Sequence, residues 1–112
     1  MSSSLVSSGS GSGIGLQSLV DDGNISGGQN ISWLASNHHK GTLTADITAL
    51  TFTNPAASGW LTWVVSQDST GGFEVNWSGI SLSGNEPVIN TLPSSMSIVE
   101  LYFDGTTYHS KA

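Results

Sequence analysis

Ser, His and Asp all occur in this chain, so a hydrolytic triad can be written down from its residue types. No G-x-S-x-G elbow accompanies them, and no strand–turn–helix pattern is present to strain a nucleophile, so hydrolysis is not the expected chemistry. His38 and His39 are the strongest metal-like pair. Adjacent residues of an extended chain point to opposite faces, so at most one of them could line a symmetry axis, and a solvent-facing turn is the expected place for them. Asp68 and Asp104 each stand close before glycines, where an Asp side chain caps its own turn by accepting a backbone N–H. Calcium would need more oxygen ligands nearby than either position offers. With no cysteine there is no thiolate ligand, thiol nucleophile or disulfide. No catalytic, cofactor-binding or metal-ligating residue is therefore assigned, and no cofactor is expected. What remains is aromatic chemistry: Trp60, Trp63 and Trp77 stand in a chain rich in Asn, Gln and Ser, a combination that can hold a sugar by stacking and polar contacts.

Charge narrows the partners. Lys40 and Lys111 face eight carboxylates, giving a formal charge of −6, so no basic patch can neutralise phosphates and nucleic acid is not an expected partner. Only 9% of residues are charged, against roughly 25% in an ordinary soluble domain. The polar mass is instead Ser, Thr, Asn, Gln and Gly, which suit strands and turns better than helix surfaces. No apolar run approaches the ~20 residues that span a bilayer, so no membrane insertion is expected. Met1–Gly15 lacks the cationic start and apolar core of a signal peptide, which points to synthesis and release in a cytosol.

Two regions follow from composition. Residues 1–28 open on a Ser/Gly-rich segment of low hydrophobicity, expected to be an extended arm whose apolar exceptions Leu5, Val6, Ile14 and Leu16 dock on a partner. Residues 29–112 carry short apolar runs separated by turn residues at roughly the 8–12-residue spacing of a sandwich or barrel, about seven strands in all. The stretch 41–49 alternates with period two, placing Leu43, Ala45, Ile47 and Ala49 inward. The phase then slips at Leu50 and Phe52, as a bulge or a change of sheet would produce. Residues 60–67 are apolar on both faces, with Leu61, Trp63 and Val65 on one and Trp60 and Val64 on the other, which predicts a central strand or a subunit interface. The segment 68–72 reads as the turn of a hairpin into a strand carrying Phe73, Val75 and Trp77. A strand over 96–103 ends at Asp104-Gly105 and returns through Tyr108. No internal repeat of solenoid length is evident. Four Trp and five Phe and Tyr are many for so small a core, so Trp60, Trp63, Val65 and Trp77 are expected to lie between subunits.

The order of these features carries a resemblance. An alternating strand ends in Phe52–Pro55, an apolar strand runs into the string QDSTGG at Gln67–Gly72, and the next segment closes on Val75, Asn76 and Trp77. Pro87 precedes a non-regular stretch, and Asp104, Gly105 and Thr106 lead to Tyr108. Over residues 40–109 this resembles the β-rich domain of phage tail fibres, fibre knobs and capsid decoration proteins. The chain departs from the family pattern at Trp77-Ser78, where a Trp-Pro pair is common, and only about thirty residues stand before its strand-rich region. The resemblance implies an all-β fold, a small antiparallel β-sandwich of jelly-roll character with an extended N-terminal arm, that forms a homotrimer. It implies a non-enzymatic bacteriophage structural protein on the virion surface, assembled in the host cytoplasm, with the phage major capsid protein or a tail component as partner. A trimeric capsid decoration or cement protein anchored by its arm is the first expectation. A tail-fibre or spike knob binding a host glycan is the alternative, and a non-viral carbohydrate-binding module the second.

Overall fold

The computed structural model describes residues 17–111. Eight strands and no helix occur among them: β1 (Val20–Ile25), β2 (Gly28–Ser32), β3 (His38–Leu43), β4 (Ala49–Thr53), β5 (Gly59–Gln67), β6 (Leu82–Ser83), β7 (Met96–Phe103) and β8 (Tyr108–Ser110). Six form one sheet in the order β1-β3-β5-β7-β8-β6, while β2 and β4 pair as a second, two-stranded sheet. The fold is all-β.

From β1 to β5 the chain winds. It alternates between the two sheets, and each strand lies parallel to the previous strand of its own sheet: β1 with β3, β3 with β5, β2 with β4. Equivalent positions therefore stack. Ile25 pairs with Leu43 and Leu43 with Gln67, forming an inward ladder, and Ile47 bridges in parallel to Val75 further along the winding. Only β7 runs antiparallel, to β5 on one side and to β8 on the other. This corrects the expected antiparallel, jelly-roll pairing. Alternation reports which face of a strand is buried but is silent on the direction of its neighbour. Parallel neighbours need a crossover, and here the crossovers are strands of the other sheet rather than helices. Winding also escapes a search for repeats, because the stacked positions 25, 43 and 67 are unequally spaced.

The space between the sheets is filled by Ile25, Ile31, Leu43, Leu50, Leu61, Trp63, Val65 and Leu101, all buried. Aromatic rings link its parts edge to face: Trp33 to Phe52, Phe52 to Trp77, Trp77 to Trp63, with ring centres 5.5, 6.2 and 5.7 Å apart. The Tyr108 hydroxyl, at the far side of Phe52, donates to Asn54 Oδ1 at 2.6 Å.

Three local expectations are corrected. His38 and His39 belong to β3 rather than to a turn. His39 is 1% exposed, with Nδ1 2.8 Å from Asp22 Oδ2 and Nε2 2.9 Å from the Ser32 carbonyl oxygen, so one ring ties β1, β2 and β3 together. The boundary expected after residue 28 falls inside the folded unit: β1 pairs along β3, and Ser36 Oγ donates to the Ser18 carbonyl. A Ser/Gly-rich composition continues past the point where the chain enters the sheet. The segment 68–72 is not a hairpin turn, because Phe73–Trp77 does not pair with β5. Gln67 prevents it: its Oε1 accepts the Phe73 N–H, and its Nε2 donates to the Phe73 and Asn90 carbonyls. The phase slip at Leu50 is the step from the large sheet, which holds β3, to the small one, which holds β4.

Candidate functional site

Alternation along β5 sends Leu61, Trp63, Val65 and Gln67 into the core and Trp60, Thr62, Val64 and Ser66 outward. Across the ladder, Trp60 faces Tyr102, Thr62 faces Glu100, Val64 faces Ile98 and Ser66 faces Met96. The outer surface of the two adjoining strands is thus largely apolar. Trp60, Met96 and Ile98 are 58%, 61% and 63% exposed.

This surface has two unlike ends. At one, Val88 and Ile98 border a hollow of about 230 Å³ that also meets Glu100 and Lys111, whose Nζ donates to Glu100 Oε1 at 2.8 Å. At the other, the Trp60 ring rests edge-on against Tyr102, with centres 5.2 Å apart, beside a cleft of about 440 Å³. Trp33, Leu34, Asn37 and Ser58 line that cleft together with Gln17, whose Oε1 accepts the Asn37 N–H.

Of the four residues expected at a subunit interface, only Trp60 is on the surface. Trp63, Val65 and Trp77 are 0%, 2% and 3% exposed within the single chain, so the expectation is corrected for these three. Two packed sheets give one chain enough interior to bury three of its four tryptophans. Leu5, Val6, Ile14 and Leu16 lie outside the described residues. Tyr102, Met96 and Ile98 were legible as a strand but not singled out; the period-two alternation of 96–103, with Val99, Leu101 and Phe103 inward, was the signal that could have found them.

Asp104 and Asp68 are occupied in turns. Asp104 Oδ1 accepts the N–H groups of Thr106 and Thr107 while Oδ2 stands 2.7 Å from His109 Nε2. The His109 contact first, and these backbone bonds after it, hold the Asp104 carboxyl well below the usual carboxylate range. Asp68 Oδ1 accepts from Thr70 and Gly71 in the same manner. Among the described residues no three His, Asp or Glu side chains converge as a metal site would require.

A family model matches residues 25–108, from the last residue of β1 to the first of β8. Its description is "Putative phage tail fibre C-terminal domain". The chain belongs to this family. It is a phage virion structural protein, and the resemblance carried by residues 40–109 extends back through the first winding of the tail-fibre domain. No curated protein and no solved structure matches the chain.

Proposed function

We propose that this tail-fibre domain is a non-enzymatic, homotrimeric tip module of a phage tail, assembled through the far end of its outer sheet face. The observation that carries this reading is the exposed pair Met96 and Ile98 on β7, flanked by the half-buried Val64 of β5 and the exposed Val88. Clustered apolar surface of this kind marks a contact site, and the Glu100 and Lys111 charges beside it are paired with each other. Family membership favours a tail location over capsid decoration.

Native mass measurement tests the assembly. The 11.6 kDa chain is expected to run as a trimer, and Ile98→Glu as a monomer with its β-structure intact. A monomeric parent chain would remove the interface from the reading. Quantitative mass spectrometry of purified virions tests the location. A handful of copies per particle is expected. A ratio near that of the major capsid protein would instead favour a decoration or cement role, and absence from the particle would end both.

A further inference from the structure

We propose that the buried pair His39 and Asp22 is a proton-held latch, which keeps β1 docked on β3 and lets the strand go when one proton leaves. The His39 ring meets an acceptor at each nitrogen: Nε2 stands 2.9 Å from the Ser32 carbonyl oxygen and Nδ1 2.8 Å from Asp22 Oδ2. A carbonyl oxygen has no proton to give, so Nε2 carries one, and a second proton must lie between Nδ1 and the carboxylate. Ring and carboxylate together thus hold one proton more than a neutral histidine beside an ionised aspartate. The pair is neutral as a unit, which an enclosed site favours. Enclosure is nearly complete: the Asp22 side chain is 17% exposed, and the Trp33 ring packs edge-on against the buried imidazole with centres 5.0 Å apart. Among the described residues no other titratable side chain competes for the proton. Strands β2, β4 and β5 carry none. On β3, His38 and Lys40 take the opposite face, and Asp21 of β1 lies 3.8 Å from Lys40 Nζ.

Loss of that proton sets acceptor against acceptor on one side of the ring. Either Nδ1 turns a lone pair on the Asp22 carboxylate, or the remaining proton moves to Nδ1 and Nε2 turns one on the Ser32 carbonyl. Which contact yields is decided by the strands. β2 pairs with β4 at five consecutive positions, whereas β1 is an edge strand whose register on β3 breaks between Asp21 and Asn24. At that bulge Gly23 takes a φ of +70°, and its N–H donates back to Asp21 Oδ1 instead of to the ladder. The segment that sets Asp22 against His39 is therefore also the one where β1 is held least. In the large sheet β3 and β5 stand between β1 and the Met96 and Ile98 side chains of β7, so the latch and the assembly surface are separate.

The test is nuclear magnetic resonance on the isotopically labelled full chain, read at the ring nitrogens of His39 and at backbone amides as pH is raised from about 5 to about 10. Amide protection is corrected for the base dependence of exchange itself. Along the β1–β3 ladder, with the Thr44 N–H on the Ile25 carbonyl as reporter, protection is expected to fall about tenfold as the ring gives up one proton. The β5–β7 ladder is the internal control and is expected to hold. In Asp22→Asn the new amide can donate to a ring with one proton. That variant should show a single protonated nitrogen at pH values where the parent ring holds two, and a β1 ladder with no pH step. A ladder indifferent to the ring proton, a ring that keeps both protons to the top of the series, or an Asp22→Asn chain with the parental step would each overturn the latch. Equal loss in the β5–β7 ladder would overturn it too, by making the proton a support of the whole fold. Should Asp22→Asn misfold, the parent readings decide alone. Native mass and virion copy number enter none of these outcomes, so the latch and the assembly reading fail separately.

Discussion

Trp63 is fully enclosed between the sheets and meets Trp77 edge to face, yet its indole N–H finds no acceptor among the described residues. Its contribution is therefore volume and ring contact. Trp63→Ala is expected to cost about 3–5 kcal/mol, the range for emptying a large aromatic site, and to leave a chain that is unfolded or molten by near-ultraviolet circular dichroism. A variant as stable as its parent would mean that the core is not where the strand alternation puts it. Two side chains give pH its grip. Burial pushes the Tyr108 phenol up to about 12 from 10.0. The folded state thus prefers the protonated phenol, and this stabilisation is fully present below pH 10 and lost as pH rises toward 12. In a Tyr102→Phe chain, where Tyr108 is the one tyrosine left, absorbance at the phenolate band should titrate near 12; a midpoint near 10 would mean that water reaches the ring. Asp104 has the opposite sign. Its depressed carboxyl stabilises the fold above its ordinary value of 3.8, and that contribution is lost as pH falls below it. Asp104→Asn should consequently flatten the acid limb of a urea-midpoint profile between pH 5 and pH 2, and an unchanged limb would place the turn's stability elsewhere.

At the scale of strands and turns, the end of β5 is where a side chain overrides a local pattern. The run Phe73, Val75, Trp77 alternates as a strand should, and 68–72 has the composition of a hairpin turn. Gln67 nevertheless binds both the N–H and the carbonyl of Phe73, as well as the Asn90 carbonyl, and turns the chain away from β5. Gly71 fits the same corner: its φ is +71°, and a Cβ there would lie 2.6 Å from the backbone nitrogen of Pro93. Gln67→Leu keeps the volume but strips the partners from partly buried backbone groups, at up to about 1–3 kcal/mol for each group that water does not reach. Hydrogen exchange at Phe73 should accelerate more than exchange along β7, and equal acceleration would show that the loop is held by something else. The case marks how much was legible. Strand positions, the faces of β5, the Asp104 turn and the all-β class follow from period-two alternation and turn chemistry, which act over a few residues. Pairing direction, the β3 place of His39 and the escort of 73–77 by Gln67 depend on contacts between residues distant in sequence, which alternation does not encode. The outer row fell between these limits. Trp60 and Val64 were visible as a second apolar face, but which side of that strand the molecule would bury was decided only once β2 and β4 covered the other.

For the molecule as a whole, the winding makes the first strand part of the body rather than of an arm. Ile25 is completely buried at the foot of the inward ladder, Asp22 holds His39, and the side of β3 that faces β1 is covered only while β1 is present. Deleting residues 1–28 removes all three features at once. Loss of Ile25 alone is worth about 2–5 kcal/mol as a cavity, and buried His39 loses the Asp22 partner of its Nδ1 while keeping the Ser32 carbonyl at Nε2, so the truncated chain should be destabilised by at least about 3 kcal/mol in urea. This changes how docking by the N-terminal residues can be tested. Truncation at 28 would abolish attachment to the particle whether or not residues 1–16 touch it, because the domain itself would fail. The separating experiment replaces Leu5, Val6, Ile14 and Leu16 with Ser in the full chain. If these residues dock the domain, incorporation into virions should fall while the urea midpoint and native mass stay at parental values. Undiminished incorporation would assign attachment to the folded body, with the uncovered row on β5 and β7 as the surface to test next.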